Sequence, residues 1–435
     1  HRDLHSFPTR RSSDLHPNVN ETDRIHVLSN GDMVVASHRI APGYPYQEYE
    51  CTLYRSFNNG QNWWEVFNSI GVEVRKMFVE PGITELANND LVAILREDNY
   101  QHYPFFIAYS HDYGHTWTDL PYLAPVFGNR AVPGVLESGK TLVTYRHIGG
   151  ELGYVAWLTD LTESNTDIFP IIARAYNQSR IQLLPDRLVL NSGGGTLEAT
   201  MYVMPPTSSP DDFVRFTARM RCLSAQTNAC HIGVGIPIQI LTDRVQVYDD
   251  PAKGFNIDTT IFRDYVIERD GGLLKIWVDG TLRLNDDVSS IVNSYDPSVE
   301  LTRPRNYLIG ENGRQILFGN YPNVAKTWRN LKTDKNVGVS EWQSFSIQVD
   351  AGYYPSYNYS WDVSSGVYPD QYARDNQIML EVEMTDNGAD VGYGGWRQLS
   401  DGSIFVVDYT RGDGQDMPIR KKPFIRGYFL YESDF

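Results

Sequence analysis

Four segments of the chain share one pattern of apolar and polar residues around a tight turn. They are VLSNGDMVV, ELANNDLVA, VLESGKTLV and QLSDGSIFV, around Leu28, Leu86, Leu136 and Leu399. In each segment an apolar run ending in leucine precedes a turn rich in Asn, Asp, Ser or Gly, and a second apolar run follows it. This order is typical of two antiparallel strands joined by a hairpin. The chain therefore predicts a repeated strand–turn–strand unit.

A second turn motif follows two of these units. Its copies are SFNNGQNWW and SHDYGHTWT, which begin at Ser56 and Ser110. The second copy fits Ser-x-Asp-x-Gly-x-Thr-Trp, in which Asp112 can bind the turn backbone, Gly114 permits the turn and Trp117 fills the space between sheets. The first copy is degraded, with Asn58 in place of Asp and Asn62 in place of Thr.

The repeat is interrupted between Leu136 and Leu399 by a segment of different character. It contains alternating runs such as RDYVIERDGGLLKIWVDGTLRL and EWQSFSIQVD, with RDGG and VDGT turns. Such runs predict an antiparallel β-sandwich, which we place at 175–350. The expected chain is all-β, with repeated sheets at 16–174 and 351–435 on either side of this insertion.

Aligning the four units on their shared leucine collects polar residues in two rows. Six positions before the leucine the residues are Thr22, Glu80, Arg130 and Tyr393. Ten positions after it they are His38, Arg96, Arg146 and Tyr409. If the sheets pack around one axis, these rows meet and line a common pocket.

The charge of the chain narrows the class of partner. The formal net charge is −16 and the sequence pI is about 5.0, which disfavours nucleic acid and anionic membranes. No apolar run approaches the roughly 20 residues of a transmembrane helix. Small molecules, glycans and proteins are left as partners, and the 13% aromatic content suits both strands and sugar stacking. The histidines lack a metal-ligand spacing, so we expect neither a metal nor another cofactor.

Cysteine placement leaves two possibilities open. Cys222 and Cys230 flank CLSAQTNAC, a spacing that a hairpin could bridge with a disulfide in an exported protein. Two buried thiols are the alternative. Cys51 is expected to be a core residue.

The hairpin and the Ser-x-Asp-x-Gly-x-Thr-Trp turn, the Asp box, recur with a period of roughly 50 residues. This combination resembles the sialidase-like (Asp-box) β-propeller superfamily. The interrupting segment resembles the concanavalin-like, laminin G-like jelly rolls. The resemblance implies a propeller with an inserted jelly roll. Because relatives have five to seven blades and four are clear here, we expect an incomplete propeller that lacks one or more N-terminal blades.

The resemblance also implies roles for individual residues. RIHVL places Arg24 at the family's first arginine, EPGITELANNDLVAILR supplies Glu80 and Arg96, and YGGWRQLSDGSIFVVDY supplies Tyr393. Arg130 is favoured over Arg146 as the third arginine. Three arginines would hold the carboxylate of an acidic sugar, and Tyr393 would be the nucleophile whose proton Glu80 takes. His38, Arg146 and Tyr409 would line the pocket.

The function implied is an exo-acting glycoside hydrolase that removes a terminal acidic sugar such as sialic acid. The family's acid, an Asp after the first blade, has no counterpart in SHRIAPGYPYQEYEC, which offers Glu48 and Glu50 instead. One alternative is a lyase acting on uronic-acid glycans, for which His38, Tyr44, Tyr46 and His102 would also suit. Another is a propeller that binds glycan without turnover.

The first 15 residues, HRDLHSFPTRRSSDL, resemble a translated sequencing adapter and are excluded from the fold prediction. We expect them to be disordered. The glycan-enzyme resemblance implies a secreted or periplasmic location.

Overall fold

The computed structural model describes the chain in segments separated by gaps. They are residues 19–40, 49–68, 78–97, 105–118, 122–124, 126, 128–147, 152–163, 171–175, 178–192, 199–203, 211–225, 231–248, 250–294, 316–320, 338–350, 356–383, 392–411 and 423–435. Residues 1–15 lie outside this set, as do Tyr44, Tyr46, Glu48, His102 and Cys230.

The chain folds as an all-β protein in which the repeated hairpins form four separate antiparallel sheets, the blades of an open propeller. Blade 1 contains β1 (Val19–Thr22), β2 (His26–Val27), β3 (Met33–Ile40), β4 (Tyr49–Ser56) and β5 (Trp64–Asn68). Blade 2 contains β6 (Phe78–Glu85), β7 (Leu91–Glu97), β8 (Phe106–Ser110) and β9 (Tyr122–Leu123).

Blade 3 is completed by a strand that follows the insertion. Its strands are β10 (Gly128–Val135), β11 (Thr141–His147), β12 (Leu152–Thr159) and β28 (Gln377–Glu383), in that order across the sheet. Blade 4 contains β29 (Gly394–Gln398), β30 (Ile404–Thr410) and β31 (Phe424–Leu430). The chain thus leaves blade 3 after three strands and returns to supply the fourth.

Two further sheets form the inserted sandwich. The seven-stranded sheet has β13 (Ile171–Ala175), β16 (Ala199–Val203), β25 (Ile316–Asn320), β18 (His231–Val234), β19 (Pro237–Ile240), β20 (Arg244–Val247) and β21 (Asp250–Asn256). The eight-stranded sheet has β14 (Ile181–Leu184), β15 (Arg187–Asn191), β26 (Gly338–Asp350), β17 (Phe213–Ala225), β22 (Arg263–Asp270), β23 (Leu273–Val278), β24 (Thr281–Asp287) and β27 (Tyr357–Asp362).

The helices of the described chain are short. They are α1 (Ser289–Ser294), α2 (Gln371–Asn376) and the 3₁₀ turns Gln178–Arg180, Val363–Ser365 and Glu432–Asp434. No helix in the described segments has the length and apolar character needed to cross a membrane.

The sandwich extends past both ends of the predicted 175–350 range. At its start β13 pairs with β16, and at its end β27 pairs with the long strand β26. The expected range thus omits β27 and all but the last residue of β13. Cys222 is a free, buried thiol, while the partner proposed for it lies outside the described residues. Cys51 is also buried, as predicted.

Each pair of neighbouring sheets buries an apolar layer. Between blades 2 and 3, Val92 and Ile94 pack with Val143 and Trp157. Inside the sandwich, the Phe318 ring of one sheet lies 4.4 Å from the Phe345 ring of the other, measured between centroids. Burial of this kind is the main favourable term that holds the sheets together.

The turn from Ser110 to Thr118 is held by its own side chains. Asp112 Oδ1 accepts hydrogen bonds from the Thr116 N–H at 2.8 Å and from Ser110 Oγ at 2.8 Å, and Asp112 Oδ2 accepts one from Thr116 Oγ1. Gly114 has φ of +91°, and a Cβ there would lie 2.3 Å from Leu53 Cδ2 of blade 1. The turn therefore requires both the carboxylate and the glycine.

We expect Asp112→Ala to lower the free energy of unfolding by about 1–2 kcal/mol, because the Thr116 N–H and hydroxyl lose their acceptor. Asp112→Asn should cost clearly less, since Asn58 performs this role in blade 1, where its Oδ1 accepts the Asn62 N–H at 2.9 Å. Calorimetric unfolding of the two variants provides the comparison. Equal losses from both would show that the acceptor oxygen is not what stabilises the turn.

Candidate functional site

The two polar rows meet at one end of the four blades. Seven residues of the rows are connected there by contacts or electrostatic coupling, and we name them the arginine–tyrosine cluster: His38, Glu80, Arg96, Arg130, Arg146, Tyr393 and Tyr409. The shared leucine sets the same phase in every blade, so residues at equal offsets reach the same end of their sheets.

Glu80 and Arg130 occupy the same irregularity in two neighbouring blades. Each lies in a β-bulge of the first strand of its blade, where the pairing register shifts. Both have φ of +48°, which is unusual for a residue with a side chain. A bulge turns a side chain away from its normal direction and is often found beside functional sites. These two bulges bring the carboxylate of Glu80 and the guanidinium of Arg130, which belong to adjacent blades, into one cluster.

Glu80 is held from two sides. Its Oε2 lies 2.7 Å from Nη1 of Arg96. Arg96 is on β7, where it pairs with Val79, the residue before Glu80. Its backbone N–H donates to Nδ1 of His38 on blade 1 at 3.2 Å. The Glu80 side chain is only 8% exposed, so this ion pair has little competition from water. Blades 1 and 2 are thereby joined at the cluster.

Tyr393 lies close to both arginines that blade 3 contributes to the cluster. The Cζ atoms of Arg130 and Arg146 are 5.8 and 5.4 Å from its ring centroid, and Arg146 Nη1 donates to the phenol oxygen at 3.4 Å. Tyr409 stacks on it, with centroids 6.1 Å apart. Burial and then the charge of Glu80 raise the pKa of Tyr393, against the opposing effect of the arginines. The phenol is therefore neutral near pH 7.

His38 is a neutral imidazole. Burial, together with the charges of Arg96 and Arg130, lowers its pKa to about 4 and outweighs the opposing charge of Glu80. Because Nδ1 accepts a backbone N–H, the neutral ring carries its proton on Nε2. His38 can donate a hydrogen bond from Nε2, but its Nδ1 lone pair is already used.

The structure places Arg24 apart from the cluster. Its guanidinium donates to the carbonyl oxygen of Pro133 and lies 5.9 Å from the ring centroid of Trp396. The physical reason is its offset of four residues before Leu28, two fewer than the offset that defines the row. Arg24 therefore emerges nearer the hairpin turn, where it contacts the inner strands of blades 3 and 4.

Of the two glutamates considered as the acid, Glu50 is engaged elsewhere. It accepts a hydrogen bond from Arg39 Nε at 2.6 Å, and Arg39 also binds Glu65 at 2.7 Å. Since successive side chains of a strand alternate, Arg39 and Glu50 lie on the face opposite His38. The other glutamate, Glu48, lies outside the described residues.

Two buried carboxylates behind the cluster were missed by the sequence reasoning. Asp408 and Glu381 lie between blades 3 and 4, and both are less than 5% exposed. Asp408 directly precedes a row residue, but its side chain is on the other face of the strand. Glu381 follows the insertion, where alignment on the leucine gives no position. Among the described residues, no group of three or more His, Cys, Asp or Glu side chains could hold a metal ion.

Comparison with known proteins gives distant structural similarity. No protein-family model and no curated protein matches the chain. A Dyadobacter fermentans structure of unknown function has 19% identity and a TM-score of 0.30, covering 41% of this chain and 48% of its own. The chain thus spans about half of that protein. A Trypanosoma rangeli sialidase has 10% identity and a TM-score of 0.28, with coverage of 80% and 70%. A family 7 alginate lyase in complex with substrate has 10% identity and a TM-score of 0.26, with coverage of 40% and 83%.

We expect the low pKa of His38 to appear in the pH dependence of stability. Since the folded-state pKa of about 4 lies below the unfolded value of 6.5, the unfolded chain binds the proton more readily. The contribution of His38 to the free energy of unfolding should be fully present above pH 6.5. It should be lost as the pH decreases toward about 4, which lowers the free energy of unfolding by up to about 3 kcal/mol.

Urea unfolding from pH 7 to pH 4 measures this fall. His38→Gln keeps an acceptor for the Glu80 N–H and does not titrate, so the fall should be smaller in this variant. His111→Gln is the matched control, because the hydrogen bond to Asp90 raises the pKa of His111 and outweighs the effect of burial, so its removal should not make the fall smaller. If the fall were the same in His38→Gln and in the unaltered chain, His38 would not be the neutral, buried group described.

Proposed function

We propose that this chain is a carbohydrate-active protein whose arginine–tyrosine cluster binds the carboxylate of a terminal acidic sugar. The observation that carries the proposal is the convergence of three arginines on one phenol in an acidic chain. The guanidinium groups of Arg130 and Arg146 lie over the ring of Tyr393, and Arg96, which forms an ion pair with Glu80, is coupled electrostatically to the same phenol. In a chain of net charge −16, such a concentration of guanidinium groups favours an anionic ligand.

The planar guanidinium groups suit a carboxylate in particular. Each can donate two parallel hydrogen bonds to it, which a lysine cannot. The stacked rings of Tyr393 and Tyr409 provide an adjoining apolar surface of the kind on which a pyranose ring packs. An acidic sugar would satisfy both features, and sialic acid is the probe that we choose.

The reaction that we propose is exo-glycoside hydrolysis with Tyr393 as nucleophile. The phenol oxygen forms a bond to the anomeric carbon, Glu80 takes the phenolic proton, and the bond to the leaving sugar breaks as its oxygen takes a proton from solvent. Water then attacks the same carbon and releases a proton to solvent, while the bond to Tyr393 breaks and Glu80 returns its proton to the phenol oxygen. A neutral phenol suits this role because a substrate carboxylate does not repel it. When the substrate carboxylate binds Arg96, it would weaken the hold of that guanidinium on Glu80 and free the base.

A lyase acting on uronic-acid glycans is the second candidate. The same arginines would neutralise a uronate carboxylate, which is the requirement for proton abstraction beside it. One observation favours hydrolysis instead: Nδ1 of His38 already accepts a hydrogen bond from the Glu80 N–H, so His38 is not prepared to act as the base.

Binding of N-acetylneuraminic acid and of its methyl ester, measured by calorimetry, tests the ligand class. We expect the free acid to bind and the uncharged ester to bind far more weakly. Arg146→Met should weaken binding of the acid roughly ten- to a hundredfold, as expected for a lost charge-assisted contact. Arg397→Met, which alters an exposed arginine on blade 4, is the control and should bind normally. Equal binding of acid and ester would contradict the proposal.

Turnover of a fluorogenic sialoside tests the reaction, and Tyr393→Phe and Glu80→Gln should both abolish it. A rise in ultraviolet absorbance on a uronic-acid glycan would select the lyase instead. Binding of the free acid without turnover would leave the glycan-binding propeller as the function.

A further inference from the structure

We propose that Glu381 is a positioning residue, which fixes the two tyrosines of blade 4 against Arg146 of blade 3. Its consequence for turnover rests on the proposed function, whereas its geometric part does not. Glu381 lies on β28, the strand that returns from the sandwich, and its side chain is 2% exposed.

One carboxylate on blade 3 binds two strands of blade 4. Glu381 Oε1 accepts a hydrogen bond from Thr410 Oγ1 on β30. Its Oε2 accepts bonds from Tyr428 OH at 2.5 Å and from Arg426 Nη1 at 3.2 Å, both on β31. Bonds to a buried, charged acceptor are strong and directional, so they fix how the two sheets approach.

The contacts of Glu381 continue to the tyrosines through the chain. Thr410 follows Tyr409, whose ring stacks on Tyr393. The carbonyl oxygen of Tyr409 accepts the N–H of Gly392, the residue before Tyr393, at 3.0 Å. A displacement of Thr410 would therefore move both tyrosines.

On blade 3 the same carboxylate is in line with Arg146. Tyr154 is the direct partner of Arg146 on one side and of Glu381 on the other, so the three residues form one row across the sheet. Directly paired residues point to the same face, which here faces blade 4. Glu381 and Arg146 thus contact blade 4 from the same side.

The fit between Arg146 and blade 4 leaves little freedom. Gly392 has φ of +77°, and a Cβ there would lie 3.2 Å from Cγ of Arg146 and 3.1 Å from the carbonyl oxygen of Gly153. At such close range, small shifts of blade 4 change the contact between Arg146 and Tyr393. A carboxylate that fixes the spacing between the sheets is suited to prevent these shifts.

The experiment separates positioning from a general contribution to stability. The full chain is labelled with 3-fluorotyrosine, and the signals of Tyr393 and Tyr409 are assigned by Tyr→Phe substitution. Glu381→Leu removes all three hydrogen bonds, whereas Glu381→Gln keeps one acceptor oxygen, for Thr410 or for Tyr428, and its amide NH2 can donate to the other hydroxyl. Glu341→Gln is the matched control, because Glu341 is an equally buried carboxylate that binds Arg187 and Arg221 within the sandwich.

We expect Glu381→Leu to shift both fluorine signals and Glu381→Gln to shift them less. With a sialoside, kcat/KM of Glu381→Leu should fall roughly ten- to a hundredfold, mainly through kcat. Glu341→Gln should lower the melting temperature and leave the signals and kcat in place. If Glu381→Leu does not fold, the signals of Glu381→Gln decide the question. Unmoved signals in a folded Glu381 variant would overturn the proposal. Shifted signals in a chain without turnover would support positioning and refute the hydrolase.

Discussion

The site depends on keeping three guanidinium groups close together in a partly buried place. Like charges at such distances repel, and the repulsion is stronger where water is excluded. The structure offsets it with the Glu80 carboxylate and with the π-face of Tyr393, over which Arg130 and Arg146 lie. The two bulges with positive φ aim the side chains that make this arrangement.

The interfaces between blades differ in how narrowly they specify the relative position of the two sheets. Blades 2 and 3 meet through an apolar layer, which determines their separation but leaves some freedom to slide. Blades 3 and 4 share a smaller apolar cluster and, beside it, the hydrogen bonds of Glu381 and the buried Asp408. Hydrogen bonds specify position more narrowly than apolar contact does. The narrowly specified interface is the one that carries Tyr393 and two of the arginines.

The sequence predicted the cluster because one leucine sets the phase of every hairpin, and the offsets from it carry over from blade to blade. It misplaced Arg24, whose assignment depended on the five-residue motif RIHVL and not on its offset from Leu28. It missed Glu381 because β28 is paired across a long excursion of the chain, and no local pattern reports such pairing. The sandwich also extends past the expected range, through β13, which pairs with β16, and through β27, which forms a hairpin with the preceding strand β26. The positions that local periodicity determines were predictable, whereas the pairing of β28 with β12 across the insertion was not.

We propose that the cluster binds the carboxylate of an acidic sugar, and a crystal structure of the Glu80→Gln variant with N-acetylneuraminic acid would reveal the binding mode. We expect the sugar carboxylate within hydrogen-bond distance of guanidinium groups of the cluster, with the phenol oxygen of Tyr393 facing the anomeric carbon. Sugar density on the sandwich, with the cluster empty at saturating sugar, would contradict it.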